Sequence, residues 1–201
     1  MDISSGIIAL IILIYSAILH EVAHGYVAEK LGDPTARLMG RLTLNPIPHI
    51  DPWMSIALPL LLILSGSPVI FGAAKPVPID PFNLREGRKD IAIVSLAGPL
   101  ANISIAIIAA VLFRILNIDI LKIIVTLNLL LAIFNLLPIP PLDGSKIFAL
   151  LLPEKDANAY LSLSTIGMFI IFFLLLVPVG GFSLGQFIFN LLTYAQNLLL
   201  P

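Results

Sequence analysis

The sequence predicts an all-α polytopic membrane protein, on three observations. Of its 201 residues 59% are hydrophobic and 11% charged, where soluble domains carry about 25% charged residues. Mean hydropathy is +1.06. The apolar residues also cluster into stretches of about 20, the length of a membrane-spanning helix. Five spans are expected: Ile3–Leu31, Asp90–Leu116, Ile120–Leu137, Ala157–Val177 and Phe182–Leu200. A re-entrant or short additional membrane segment and short β-hairpin-like extended loops complete the architecture. One membrane domain, 1–201, accounts for the chain, with a core over 3–152 and two further helices in 157–200.

Composition also excludes. A net charge of −1 leaves no nucleic-acid footprint, and the absence of cysteine rules out disulfides and thiolate chemistry. The first apolar stretch is too long for a signal-peptide core and lacks a basic leader, so it is expected to remain as a helix.

The first helix is expected to stop at Gly32-Asp33-Pro34. Alternation in Arg41-Leu42-Thr43-Leu44 predicts a short strand, and Asn45-Pro46 a turn. Trp53–Phe71 is interrupted by Pro59 and closed by Ser65-Gly66-Ser67-Pro68. Basic residues flank it on both sides: Lys30, Arg37 and Arg41 before, Lys75, Arg85, Arg88 and Lys89 after. Positive loops are cytoplasmic by rule, so this segment is expected to enter and leave on one side. Lys75-Pro76-Val77-Pro78-Ile79 reads as extended, an edge on which a neighbouring chain can pair. In the next helix Gly98 permits close approach and Pro99 frees a carbonyl. Three prolines among residues 138–141 unwind the chain before Asp143-Gly144 restarts a helix. The last two spans carry no ionisable residue and read as scaffold.

One polar interruption breaks the first apolar stretch: His20-Glu21-Val22-Ala23-His24. Helix positions i and i+4 share a face, so both imidazoles can point at one metal. Glu21 lies about 100° round the helix, placed to serve as general base. This is the pattern of a zinc hydrolase. Ionisable groups in an apolar helix are costly unless paired or metal-bound, and two of the chain's 3 histidines sit here. Catalytic zinc takes three protein ligands. The candidates are Asp143, His49, Asp51 and Glu29, and Asp143 has the best case. It follows an unwound stretch and, like His24, lies roughly 12–16 Å from the nearest polar boundary at 1.5 Å per residue.

These residues resemble the site-2 protease family of intramembrane zinc metalloproteases. The resemblance rests on His20-Glu21-x-x-His24, on Gly98-x-x-x-Asn102, and on Asn135-x-x-Pro138 running into Asp143-Gly144. It covers about residues 10–152. Nothing of PDZ size separates the core helices, so the chain resembles the minimal, PDZ-free branch. The resemblance implies one zinc per chain held by His20, His24 and Asp143, with Glu21 activating the attacking water. It further implies that Asn102 and Asn135 hold the substrate backbone or the oxyanion. Asn128 is expected to bridge helices.

The expected function is regulated intramembrane proteolysis, with a transmembrane protein segment as substrate and the lipid bilayer as surroundings. The expected location is the cell membrane, multi-pass, with the site towards the cytoplasmic side. A membrane metal transporter or sensor using the same His/Asp cluster is the alternative. It predicts several acidic or histidine sites along a path.

Overall fold

A computed structural model describes residues 3–57, 61, 64 and 75–200. Eight α-helices are described: α1 (Ile3–Lys30), α2 (Thr35–Leu38), α3 (Arg88–Leu116), α4 (Ile120–Asn135), α5 (Asp143–Ala149), α6 (Glu154–Ser162), α7 (Ser164–Leu176) and α8 (Leu184–Leu199). Helix α3 is the hub, packed against α1, α4 and α5, while α8 closes on α4.

Small residues set those distances. Ala106, Ala109 and Ala110 of α3 meet Val125 and Leu129 of α4 in one buried cluster, with Leu192 and Ala195 of α8 against it. Alanine rows let apolar helices approach closely where lipid would compete with larger side chains. A second cluster joins Leu137 and Leu142 to Ile171, Leu184 and Ile188, and so fixes the unwound stretch to α7 and α8. A third holds Ala28, Leu84 and Val94 at one end of the bundle. Ile7, Leu10, Ile11 and Ile14 of α1 are exposed, an apolar face suited to lipid.

Two helices are long and apolar enough to cross a membrane, α1 from Ser5 and α3. The expected span Ala157–Val177 is instead the pair α6 and α7, bent by 64°. Its first half carries Glu154, Lys155 and Asp156, and Tyr160 Oη donates to Pro138 O at 2.7 Å, drawing α6 onto the unwound stretch. The apolar α4 has 16 residues. So does α8, whose polar residues include Gln186, Asn190 and Gln196. Among the described residues five full-length spans are therefore not seen, and by length and composition the count there is two, or three with the bent pair.

The α1 stop falls where expected: Asp33 N donates to Ala28 O at 2.9 Å and closes the last turn. The Asp33 carboxylate then ties the helix end to a later loop. It accepts from Thr35 N at 3.0 Å, Asp80 N at 2.8 Å and Asn83 Nδ2 at 3.0 Å, and also from Thr35 Oγ1.

The strand expected at Arg41–Leu44 does not form. Arg41 turns inward, where Nη2 donates to Lys75 O at 2.7 Å and Pro76 O at 3.1 Å. Among the described residues the one β-bridge is Val179 with Phe182. The expected re-entrant segment Trp53–Phe71 falls largely on 58–74, outside the described residues apart from 61 and 64. The chain unwinds between α4 and α5 as the prolines dictate, with Leu142 N donating to Ile139 O at 3.0 Å.

Candidate metal centre

Three elements converge at the middle of the bundle. Helix α1 brings His20 and His24 on one face, α5 opens with Asp143, and α3 lies across both imidazoles at Gly98. A Cβ added at Gly98 would stand 2.6 Å from His20 Cε1 and Nε2, and closer still to His24 Nε2. No side chain fits there, so glycine is what allows α3 to cover the pair.

The ligand atoms face one another. His20 Nε2 lies 3.0 Å from His24 Nε2, and each lies 3.1 Å from Asp143 Oδ2. His20, His24 and Asp143 are all buried. Each ring is oriented from behind. His24 Nδ1 lies 2.7 Å from the Val94 carbonyl, which only accepts, so Nδ1 carries the proton and Nε2 a lone pair. His20 Nδ1 lies 2.6 Å from Asn102 Oδ1. That amide is oriented by its own Nδ2, which donates to Asn128 Oδ1 at 2.9 Å and Ser16 O at 3.3 Å.

The consequence is electrostatic. With Nδ1 of each neutral ring carrying its proton, two imidazole Nε2 atoms and a carboxylate oxygen converge on one point, an arrangement that a bound cation satisfies. Two nitrogens and one oxygen, backed by hydrogen bonds to the distal ring nitrogens, fit zinc. Among the described residues this is the one group of three or more His, Asp or Glu side chains able to share an ion. A transport path with several sites is not present there.

Glu21, His20, His24, Ser95, Asn135 and Asp143 line one cavity of about 190 Å³, with Pro76, Val77 and Lys146 at its wall. Lys146 Nζ lies 3.3 Å from Asp143 Oδ1, the oxygen turned away from the histidines.

The chain is similar to known proteins over most of its length. It is 37% identical over 188 residues to "Putative zinc metalloprotease YwhC" of Bacillus subtilis (strain 168), covering 87% of this chain and 82% of the relative. It is 31% identical over 192 residues to "Putative zinc metalloprotease Rip2" of Mycobacterium tuberculosis (strain ATCC 25618 / H37Rv), covering 91% of this chain and 71% of the relative. The model of Peptidase family M50 matches residues 114–178, which contain Asn128, Asn135 and Asp143. The chain belongs to peptidase family M50. No solved structure matches it. Membership makes it a zinc metalloprotease of the site-2 type, and the His/His/Asp cluster is able to hold the ion. The transporter alternative is not favoured.

Asn102, expected at the substrate backbone or oxyanion, is fully buried, is not among the residues lining the cavity, and places Oδ1 2.6 Å from His20 Nδ1. In the 75–79 segment, expected to be extended and able to pair with a neighbouring chain, Val77 N donates to Glu21 Oε2 at 2.7 Å and its neighbours on both sides are prolines without a donor.

The other candidates for third ligand are occupied elsewhere. His49 Nε2 lies 3.0 Å from Thr43 O, Glu29 pairs with Arg37, and Asp51 accepts from Trp53 N at 2.9 Å. Sequence reasoning missed the Val94 carbonyl and the Val77 amide, because backbone groups leave no signature in residue type.

Proposed function

We propose that His20, His24 and Asp143 hold the zinc of this protease through Nε2, Nε2 and Oδ2, and that Glu21 is its general base. The observation carrying this reading is the convergence of those three buried ligand atoms at about 3 Å, with Glu21 on the wall of the same cavity. When bound, zinc supplies Lewis-acid polarisation of the scissile carbonyl and shifts the ionisation of water towards neutral pH. Glu21 takes the proton of the attacking water and delivers it to the leaving amine. Its Oε2 is anchored by the Val77 amide, which leaves Oε1 to handle the proton. Asn135 spends one amide hydrogen on Leu131 O at 3.0 Å. Its second is assigned to the substrate backbone or its carbonyl oxygen.

The substrate is a transmembrane segment of another protein, reached within the bilayer. Peptide bonds in a helix are shielded, so the segment unwinds before attack. The multi-pass chain sits in the cell membrane with the site towards the cytoplasm. Supporting that orientation, Lys30 and Arg37 precede the 53–71 segment in sequence and Lys75, Arg85, Arg88 and Lys89 follow it. Arg41 is buried and drops out of this charge count.

Reconstitution with a tagged single-span protein tests the reading. Cleavage is expected to stop with a chelator and return with zinc. Glu21→Gln is expected to keep its zinc and leave the substrate uncut. Cleavage by Glu21→Gln at the parent rate would refute the assignment.

A further inference from the structure

Arg41 is 5% exposed, and a buried guanidinium is expensive unless its charge is used. Both hydrogen bonds of its Nη2 go to backbone carbonyls of the 75–77 strap, at Lys75 and Pro76. Lys75 N in turn donates to His49 O at 2.8 Å. The strap thus hangs from the 41–50 loop at its first two residues.

Its third residue reaches the site. Across Pro76-Val77-Pro78 the Val77 amide is the single backbone donor, because proline has none. That donor goes to Glu21 Oε2 at 2.7 Å. The Val77 side chain is seated too: a Cβ added at Gly25 would meet Val77 Cγ1 at 2.9 Å and Leu42 Cδ2 at 2.7 Å. Glycine at 25 therefore lets the strap lie directly along α1, one turn beyond Glu21.

We propose that Arg41 is a positioning residue for proteolysis: by holding the Lys75 and Pro76 carbonyls, it aims the Val77 N–H at Glu21 and fixes the carboxylate against the cavity. The inference rests on the reading of Glu21 as general base. A charge-assisted bond from one fixed amide selects a single rotamer of a side chain that otherwise has several. The flanking prolines keep the strap extended, so the donor is pre-aimed.

The test uses the full chain loaded with zinc and the single-span substrate. Arg41→Met keeps length and loses the charge; Val77→Pro deletes the donor without shortening the strap. Each is expected to lower kcat by roughly 10- to 100-fold, less than the roughly 10²- to 10⁴-fold lost when a general base is removed altogether, with KM and zinc content at parent values. The double variant is expected to be no slower than the slower single, because both break one chain of contacts. Arg41→Lys, able to reach one carbonyl, is expected to fall between.

A second readout needs no turnover. Within residues 76–78 only Val77 carries an exchangeable amide hydrogen, so hydrogen exchange of that stretch reports the bond to Glu21 directly. Protection is expected in the parent and its loss in both Glu21→Ala and Arg41→Met, with α3 amides still protected as the control for folding. Unchanged or raised kcat in Arg41→Met and Val77→Pro, or Val77 protection that survives in Arg41→Met, overturns the proposal. Should Glu21→Gln be inactive while those two variants stay fully active, this inference alone fails. Should Glu21→Gln stay active, the general-base reading fails and takes this inference with it.

Discussion

Replacing Asn102 separates two roles that its sequence position leaves open. Its Oδ1 sits 2.6 Å from His20 Nδ1, and its Nδ2 donates to Asn128 Oδ1 and Ser16 O. Asn102→Ala therefore removes the acceptor that holds the His20 tautomer. Loss of such an outer-shell partner weakens metal affinity by about 10- to 100-fold, or roughly 1.4–2.8 kcal/mol. Asn128 Oδ1 and Ser16 O lose their shared donor as well, at roughly 1–3 kcal/mol per buried group left unpaired. Some relief is available, because Asn128 Nδ2 keeps Ser16 Oγ at 2.9 Å and Ile124 O at 2.9 Å. The assay is zinc competition against a chelator of known affinity, beside thermal unfolding and substrate KM. The expected result is weaker zinc binding and a lower melting temperature, with KM unchanged once zinc is saturating. Asn102→Asp, which keeps an acceptor for Nδ1, is expected to bind zinc more tightly than Asn102→Ala. Parent-like zinc affinity in Asn102→Ala together with a raised KM would refute this placement and return Asn102 to the substrate.

Two further perturbations follow from the packing and the loop charges. Gly98→Ala puts a methyl 2.6 Å from His20 Nε2, so α3 has to shift or the imidazoles rotate. Overpacking of this kind costs roughly 1–3 kcal/mol, and the bound-metal fraction on elemental analysis is expected to fall; a fully loaded, active Gly98→Ala protein would contradict the close approach. At Asp33, outside the spanning helices, burial works against ionisation. Hydrogen bonds from Thr35, Asn83 and Asp80 outweigh it and hold the carboxyl below the usual carboxylate range. A depressed folded-state pKa stabilises the fold at pH above the unfolded value of about 3.9, and the contribution fades as pH falls through the lower folded value. Asp33→Ala is expected to lower the melting temperature at pH 7 and to flatten its acid dependence, with zinc content intact. Equal acid dependence in parent and variant would contradict the role.

Much of the site was legible because its chemistry needs particular residue types at particular spacings. The His20/His24 pair needs only helical periodicity, and Asp143 stood out as a carboxylate at membrane depth after a proline break. Helices α1 and α3 could be read closely for the same reason, as long apolar runs with clear stops. The strand expected at Arg41–Leu44 was not legible as what it became. Alternation there reflects Leu42 packing on Gly25 while Arg41 turns in to hold carbonyls. The bend between α6 and α7 was hidden because hydropathy averages across Glu154–Leu176, whereas α6 is tied by Tyr160 to Pro138, a contact between distant residues that hydropathy does not report. Asn102 illustrates the limit of motif reading: residue type and spacing single out the position, but its contact with His20 Nδ1 is visible only in the packing.

The most direct measurement is X-ray absorption at the zinc edge on the purified, membrane-reconstituted protein, parent beside Asp143→Ala. One zinc per chain, bound by two imidazole nitrogens and a carboxylate oxygen, is the predicted parent result, with the oxygen shell altered and occupancy reduced in the variant. Zinc ligation unchanged by Asp143→Ala, or a parent spectrum without two imidazoles, would contradict the account.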